Sequence, residues 1–334
     1  MRVIEKVKKD FWEDVAARSS HATFFHTPHW SDIISKTFGH TDITSGFMFD
    51  DGTRAVFPLM CRNPKFTMGL LHDYVSGPPY VYGGPIAEKE LTSQQLAEIL
   101  AYIRSRCTAY SSILIRGNPY ARQLTLQGFK EVKDHSHVTE LFKHKDEKDL
   151  FTTYSGRSRE HIKSAIKSDI QIREVSGVNA YEELYAIYVS MFKYWGDTVL
   201  TSYPMALFKN FYYQKNQNIK LWAAYYNDKM IGGEMALYWS DKCTPYFSYH
   251  NREYSKLNAR RLLLHTQFLY CLTNGYKYFD FMLSGQIKGL ENFKKSMGAQ
   301  VYTHTAWLKE NRFFTTLKRI YTVIQHPGKQ YYGS

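Results

Sequence analysis

The feature that most constrains this chain is a stretch it contains twice. Residues 105–132 read SRCTAYSSILIRG-NPYARQLTLQGFKEV, and residues 273–301 read TNGYKYFDFMLSG-QIKGLENFKKSMGAQV. Each copy reads as a helix with a stop at Cys107 or Gly275, a short apolar strand, a short helix, a glycine and a further strand. An internal repeat of this kind predicts one folding unit used twice. A length of 334 residues suits two domains of ordinary size. We expect a first domain over 1–144, with the segment 313–334 packing on it, and a second over 145–312. The charged run KHKDEKDL (143–150) reads as the surface crossing between them.

Between the copies the pattern is mixed. TPHWSDIISKTFG (27–39) predicts a helix with Thr27 as N-cap, Pro28 at the first helical position and Gly39 as the stop. LTSQQLAEILAYIRSRC predicts an amphipathic helix with Leu96, Ile99, Leu100 and Ile103 on one face. SGRSREHIKSAIKSDIQIR (155–173) reads as a basic helix, and YEELYAIYVSMFKYWG as an aromatic one. LWAAYYNDKMIGGEMALYWSDKCTPYFSYHN predicts three antiparallel strands turning at Asn227-Asp228 and Ser240-Asp241. ARRLLLHTQFLYCLTNG reads as a helix ended by Gly275, and RFFTTLKRIYTVIQ as a last basic-aromatic helix.

A formal net charge of +12 favours anionic partners, whether nucleic acid, phosphorylated metabolites or an acidic membrane face. The four cysteines are scattered, which fits a reducing compartment and offers no zinc motif. MRVIEKVKKDFWED has no apolar core, so no signal peptide is expected, and apolar runs such as LLLHTQFLYCL are too short to span a bilayer. The expected location is cytoplasmic, with the inner face of the membrane open as a contact for the tail helix.

At the closing block of each copy the chain resembles acyltransferases with the GNAT fold. NPYARQLTLQGFKEV is similar to the last element of a single GNAT domain. SGRSREHIKSAIK, YYNDKMIGGEMAL and above all YKYFDFMLSGQIKGLENFKKSMGA resemble the FemAB-type peptidoglycan-bridge aminoacyltransferases and the BioF2-like acetyltransferase domain; FFHTPHW adds a weaker match. The resemblance covers most of the chain. It implies an α/β (α+β) protein of tandem GNAT-like domains, each a mixed, mostly antiparallel sheet flanked by helices. It also implies an activated donor, aminoacyl-tRNA or acyl-CoA, with no tightly bound cofactor. The acceptor it implies is an amine of a cell-envelope or metabolite precursor.

Carried over from that family, Lys294 holds an anionic or carbonyl group and Phe293 walls the cleft, while Ser158, Arg159 and Lys163 contact the acceptor. Arg159, Lys163 and Lys167 fall at i, i+4 and i+8, a cationic stripe set opposite Ile162, Ala165 and Ile166. Asp280, an acid on a central strand, must be paired or functional, and Ser284 follows the same strand as a substrate-side candidate. The turn into the helix before that strand reads SKLNARRLL, with Asn258 and Arg260 where a coenzyme A enzyme has glycines. With the positive charge, that departure tilts the donor toward aminoacyl-tRNA.

No GxSxG, P-loop, GxGxxG or HExxH is present. His21, His26 and His29 are explained by capping and solvent exposure. His135 and His137 alternate on one strand face without a third ligand in sequence, so no metal is expected. The rival to an enzyme is a GNAT-like scaffold that only docks RNA or a membrane complex, supported by the tail helix.

Overall fold

The computed structural model describes residues 1–64, 71–107, 111–122, 125–195, 202–285 and 287–325; of residues 192–195, 319 and 321–325 it describes the backbone alone. Along the chain run β1 (Arg2–Ile4), α1 (Lys9–Arg18), α2 (Pro28–Phe38), β2 (Thr41–Asp42), β3 (Ser45–Met48), β4 (Arg54–Phe57), β5 (Met60–Arg62), β6 (Asp73–Ser76), β7 (Ile86–Ala87), α3 (Ser93–Arg106), β8 (Ser112–Arg116) and β9 (Lys130–Glu140). There follow α4 (Glu147–Thr153), α5 (Gly156–Lys167), β10 (Gln171–Val175), α6 (Val178–Trp195), α7 (Met205–Tyr213), β11 (Ile219–Tyr226), β12 (Lys229–Trp239), β13 (Lys242–His250), α8 (Ala259–Thr273), β14 (Tyr278–Leu283), α9 (Lys288–Ser296), β15 (Gln300–Glu310) and α10 (Arg312–Gln325). The chain divides into two compact units, residues 1–134 with 303–334, and residues 135–302. The boundaries fall inside β9 and β15.

The first unit holds the antiparallel sheet β1-β3-β4-β7, and a second array in which β2, β5 and β6 pair in turn and β6 runs parallel to β8. Phe47, Phe57, Ile99, Ile103, Ile113, Ile115 and Trp307 form its core. Helix α2 starts where Thr27 Oγ1 accepts the Trp30 N–H and Pro28 fills the first turn, and it stops at left-handed Gly39. Thr92 and Gln95 close a capping box on α3. His26 is fully buried and bonded to Thr23 and the Gly83 carbonyl, which corrects its expected exposure. In α10, Phe314 is buried, Phe313 and Ile320 are exposed, and Lys318 pairs with Glu310.

In the second unit β10, β11, β12 and β13 form an antiparallel meander. Asn227-Asp228 and Ser240-Asp241 make its turns, as expected, with φ of 48° and 57° at the first pair. One face of the meander packs α5 and α8 through Ile162, Ala165, Trp222, Tyr238, Leu263 and Phe268.

Two expected helices differ. Residues 118–122 and 125–129 form turns, because Asn118 Oδ1 accepts the Tyr120 N–H and closes the backbone on itself beside Pro119. The remaining residues of that expected helix, 123–124, lie outside the described ones. The basic helix ends at Lys167, not at 173. Asp169 turns left-handed at φ 55°, and the alternation in Gln171–Val175 takes the chain into β10 at the sheet edge. Ile166, expected inside, is 59% exposed. Among the described residues no helix is long and apolar enough to cross a membrane.

Candidate active site

In the second unit the sheet splits between β13 and β14. β13 and β14 run parallel, but they pair only through Lys242–Tyr278 and Cys243–Phe279. Beyond these two registers β13 continues on β12 and β14 continues on β9, so the strands part and leave a wedge. Both carry irregularities there. The β12–β13 register shifts between Met235 and Ala236, and the β14–β9 register between Asp280 and Leu283.

The kink in β14 is built from its own side chains. Met282 takes a φ of 59°, and Asp280 Oδ1 accepts the Met282 N–H at 2.7 Å. The bend turns the carbonyls of Met282 and Leu283 toward α9, where Lys294 Nζ donates to them at 2.9 and 2.8 Å. Lys294 is only 4% exposed. Burial pushes its pKa down to about 7, against the pull of Asp280 and with the help of the Arg260 charge. The glycine that closes this block has a steric reason. Gly298 sits at φ 84°, and a β-carbon there would stand 2.7 Å from Thr153 Oγ1.

Arg260, in the first turn of α8, has its guanidinium carbon 4.2 Å from the Phe293 ring centroid; that of Arg261 lies 5.2 Å away. Burial lowers the Arg260 pKa, and its Nε has no hydrogen-bond partner. Its counter-charge is Glu234 on β12, 1% exposed, whose carboxyl burial raises to about 7 against hydrogen bonds from Ser248 and from Gln267 Nε2 at 2.8 Å. His250, on β13, is held down to about 4 by burial and by Arg260 and Arg252.

The structure therefore brings Lys294, Phe293, Asp280 and Arg260 into one locus. Ser284, at the end of the same strand, is buried, with Oγ 3.2 Å from His137 Nδ1. Other expected residues do structural work. Ser158 is fully buried; its Oγ donates to Ser296 Oγ at 3.0 Å and accepts from Arg261 Nε at 3.3 Å, tying α5 to α8 and α9. Arg159 Nη1 donates to the carbonyls of Thr152 and Tyr154. Asn258 contributes through its backbone, at φ 58°, while its side chain bonds the Lys256 carbonyl. Lys163 and Lys167 are exposed on α5.

Glu234 was missed by motif reasoning, although a single acid inside the apolar run MIGGEMALYW is its signal. The third neighbour of the strand histidines was missed as well: Glu291 Oε1 stands 3.0 Å from His135 Nε2. The first unit has a cavity of about 450 Å³ of its own, lined by His21, Asn118, Tyr120, Arg122, His304 and Trp307, and none of these belongs to the locus around Lys294.

Comparison with known proteins agrees with this geometry. Residues 156–295 match the family described as acetyltransferase (GNAT) domain. No curated protein matches the chain. Among solved structures, FemX is similar over 96% of this chain and 99% of its own, with a TM-score of 0.71 at 11% identity. The C-terminal domain of a putative lysylphosphatidylglycerol synthetase from Agrobacterium fabrum is similar over 94% and 96%, with a TM-score of 0.60 at 10% identity. L-PGS from Bacillus licheniformis is similar over 97% and 99%, with a TM-score of 0.57 at 10% identity. At such identities the likeness speaks to fold, and the family match speaks to the second unit. Residues 156–295 thus match the acetyltransferase (GNAT) domain family, and nearly the whole chain shares its fold with FemX.

Proposed function

We propose that this protein is an N-acyltransferase that moves an aminoacyl group from aminoacyl-tRNA onto an amine of a cell-envelope or metabolite precursor, on the cytoplasmic side. The observation that carries the reading is Lys294, a buried amine whose pKa burial brings down to about 7, bonded to β14 carbonyls beyond the point where pairing with β13 stops. The donor carbonyl enters where strand pairing stops, and main-chain N–H groups on the parted edges steady the oxyanion. The acceptor nitrogen attacks the acyl carbon, and the ester C–O bond breaks as the amide forms. Glu234, whose carboxyl pKa burial raises to about 7, is suited to take the proton that the amine loses. Lys294, its ammonium pKa brought down to about 7 by burial, can return a proton to the leaving oxygen. Arg260, stacked on Phe293 and with Nε unmatched, suits an anionic or carbonyl group of donor or acceptor.

Two features favour tRNA over coenzyme A. The turn into α8 is a 3-10 helix, Arg252–Leu257, capped by Asn251, without a glycine-rich phosphate cradle. The exposed Lys163 and Lys167 and the +12 charge suit a polyanion. Filter binding of mixed aminoacyl-tRNA across a salt series, with acetyl-CoA thermal shifts in parallel, tests the choice. Saturable tRNA binding that falls steeply with salt and weakens in Arg260→Ala is the expected result. A thermal shift with acetyl-CoA and no tRNA binding would make acyl-CoA the donor.

A further inference from the structure

We propose that His135, His137 and Glu291 form a binding site for one divalent transition-metal ion of the zinc class. β9 places the two histidines two residues apart on one face, with ring centroids 5.5 Å apart. The first turn of α9 brings Glu291 against them. One donor atom from each of the three lies within 4.8 Å of the others, and His135 Nε2 and Glu291 Oε1 are already 3.0 Å apart. Ligand atoms bound at about 2.0–2.2 Å to one zinc ion stand roughly 3–3.5 Å from each other, so a small side-chain adjustment closes the set.

A second observation points to a ligand. His137 is fully buried, yet its Nε2 has no hydrogen-bond partner. Its Nδ1 lies 3.2 Å from Ser284 Oγ. A proton on Nδ1 donated to that hydroxyl leaves the lone pair on Nε2, which is how an outer hydrogen bond orients a metal-bound imidazole. A His135–Glu291 ion pair accounts for two of the three residues and leaves the buried nitrogen unexplained. Two imidazoles and one carboxylate are also the donor set of zinc sites that keep a fourth position open to water. The ion would pin β9 to α9, the helix that carries Phe293 and Lys294. The inference is independent of which acyl donor is used.

The test is equilibrium dialysis of the full chain against Zn²⁺ and Co²⁺, on wild type, His137→Ala and Glu291→Gln, with far-UV circular dichroism of each. One ion per chain at micromolar Zn²⁺ is expected, weakened by about tenfold or more in both variants. The Co²⁺ form should show d–d absorption without a thiolate charge-transfer band, which separates this site from Cys61, Cys107, Cys243 and Cys271. No stoichiometric uptake, uptake of equal affinity in Glu291→Gln, or a thiolate band would overturn the proposal. Should His137→Ala fail to fold, Glu291→Gln decides alone, because Glu291 is only partly buried and glutamine keeps its shape.

Discussion

The two copies of the repeat share a frame and differ in what they bury. Each runs from a strand, β8 or β14, through a connection to a left-handed glycine, Gly128 at φ 77° or Gly298 at φ 84°, and on into β9 or β15. Ahead of Gly128 the first copy buries Leu126, 3% exposed; ahead of Gly298 the second buries Met297 and, one turn earlier, Lys294, 4% exposed. Burying a leucine stabilises by about 1.5–3 kcal/mol. Burying an ammonium opposes folding, and that burial is the main cause of the fall of the Lys294 pKa to about 7. The first copy is scaffold in this respect. The second keeps a residue whose burial opposes folding, and it supplies two carbonyls and a bent strand to hold it.

The comparison can be broken most severely at Lys294. Lys294→Met should reduce acyl transfer by about 10²-fold or more while the protein stays folded, because the methionine fills the same apolar path. Its stability profile should change too. The folded pKa lies below the unfolded value near 10.4, so the wild type binds fewer protons folded than unfolded between pH 7 and 10, and its stability rises with pH across that window. The methionine variant lacks that rise, and urea melts at pH 6.5 and 9.5 read the difference.

The reciprocal change, Leu126→Lys, should destabilise by about 3–5 kcal/mol, since no pair of turned carbonyls awaits it. Glu234→Gln comes next in stability. Its folded pKa is raised, so the unfolded state holds fewer protons than the folded one between about pH 4.5 and 7, and wild-type stability is lost as pH rises through that range. The variant should therefore gain about 2–3 kcal/mol over wild type at pH 8 and little at pH 4, with a transfer rate lower by 10²-fold or more. Among the glycines, Gly298→Ala should cost about 2 kcal/mol from strain plus the Thr153 clash, and Gly128→Ala about 1 kcal/mol, from strain alone, since nothing lies within 4 Å of its added carbon. Smallest is the double change Lys163→Glu and Lys167→Glu, which should leave stability within about 0.5 kcal/mol and weaken only polyanion binding.

The sequence carried the frame of both copies because glycine stops, hairpin turns and strand alternation are local properties. Phe293 and Lys294 could be singled out because their motif lies in one continuous stretch, and the structure buries Lys294 and stacks Phe293 on Arg260. The sequence did not carry the helix boundary at Lys167, where pairing of Gln171–Val175 with β11 outweighed a continuing basic pattern. Nor could it show that Ser158 and Arg159 spend their hydrogen bonds inside the protein, since Ser296, Arg261, Thr152 and Tyr154 reach them only through folding. Glu234 and Glu291 stayed hidden for the same reason, since each depends on neighbours tens to more than a hundred residues away in the chain, such as Gln267 and His135.

The claim that joins these points is that the second copy buries an amine poised between charge states beside the wedge. Carbon-13 NMR of the chain labelled at lysine Cε measures it directly, with the Lys294 signal assigned by its loss in Lys294→Met. The account predicts one lysine resonance with a titration midpoint near pH 7 that shifts on addition of aminoacyl-tRNA. A Lys294 signal that titrates near pH 10 with the surface lysines, and ignores the donor, would contradict it.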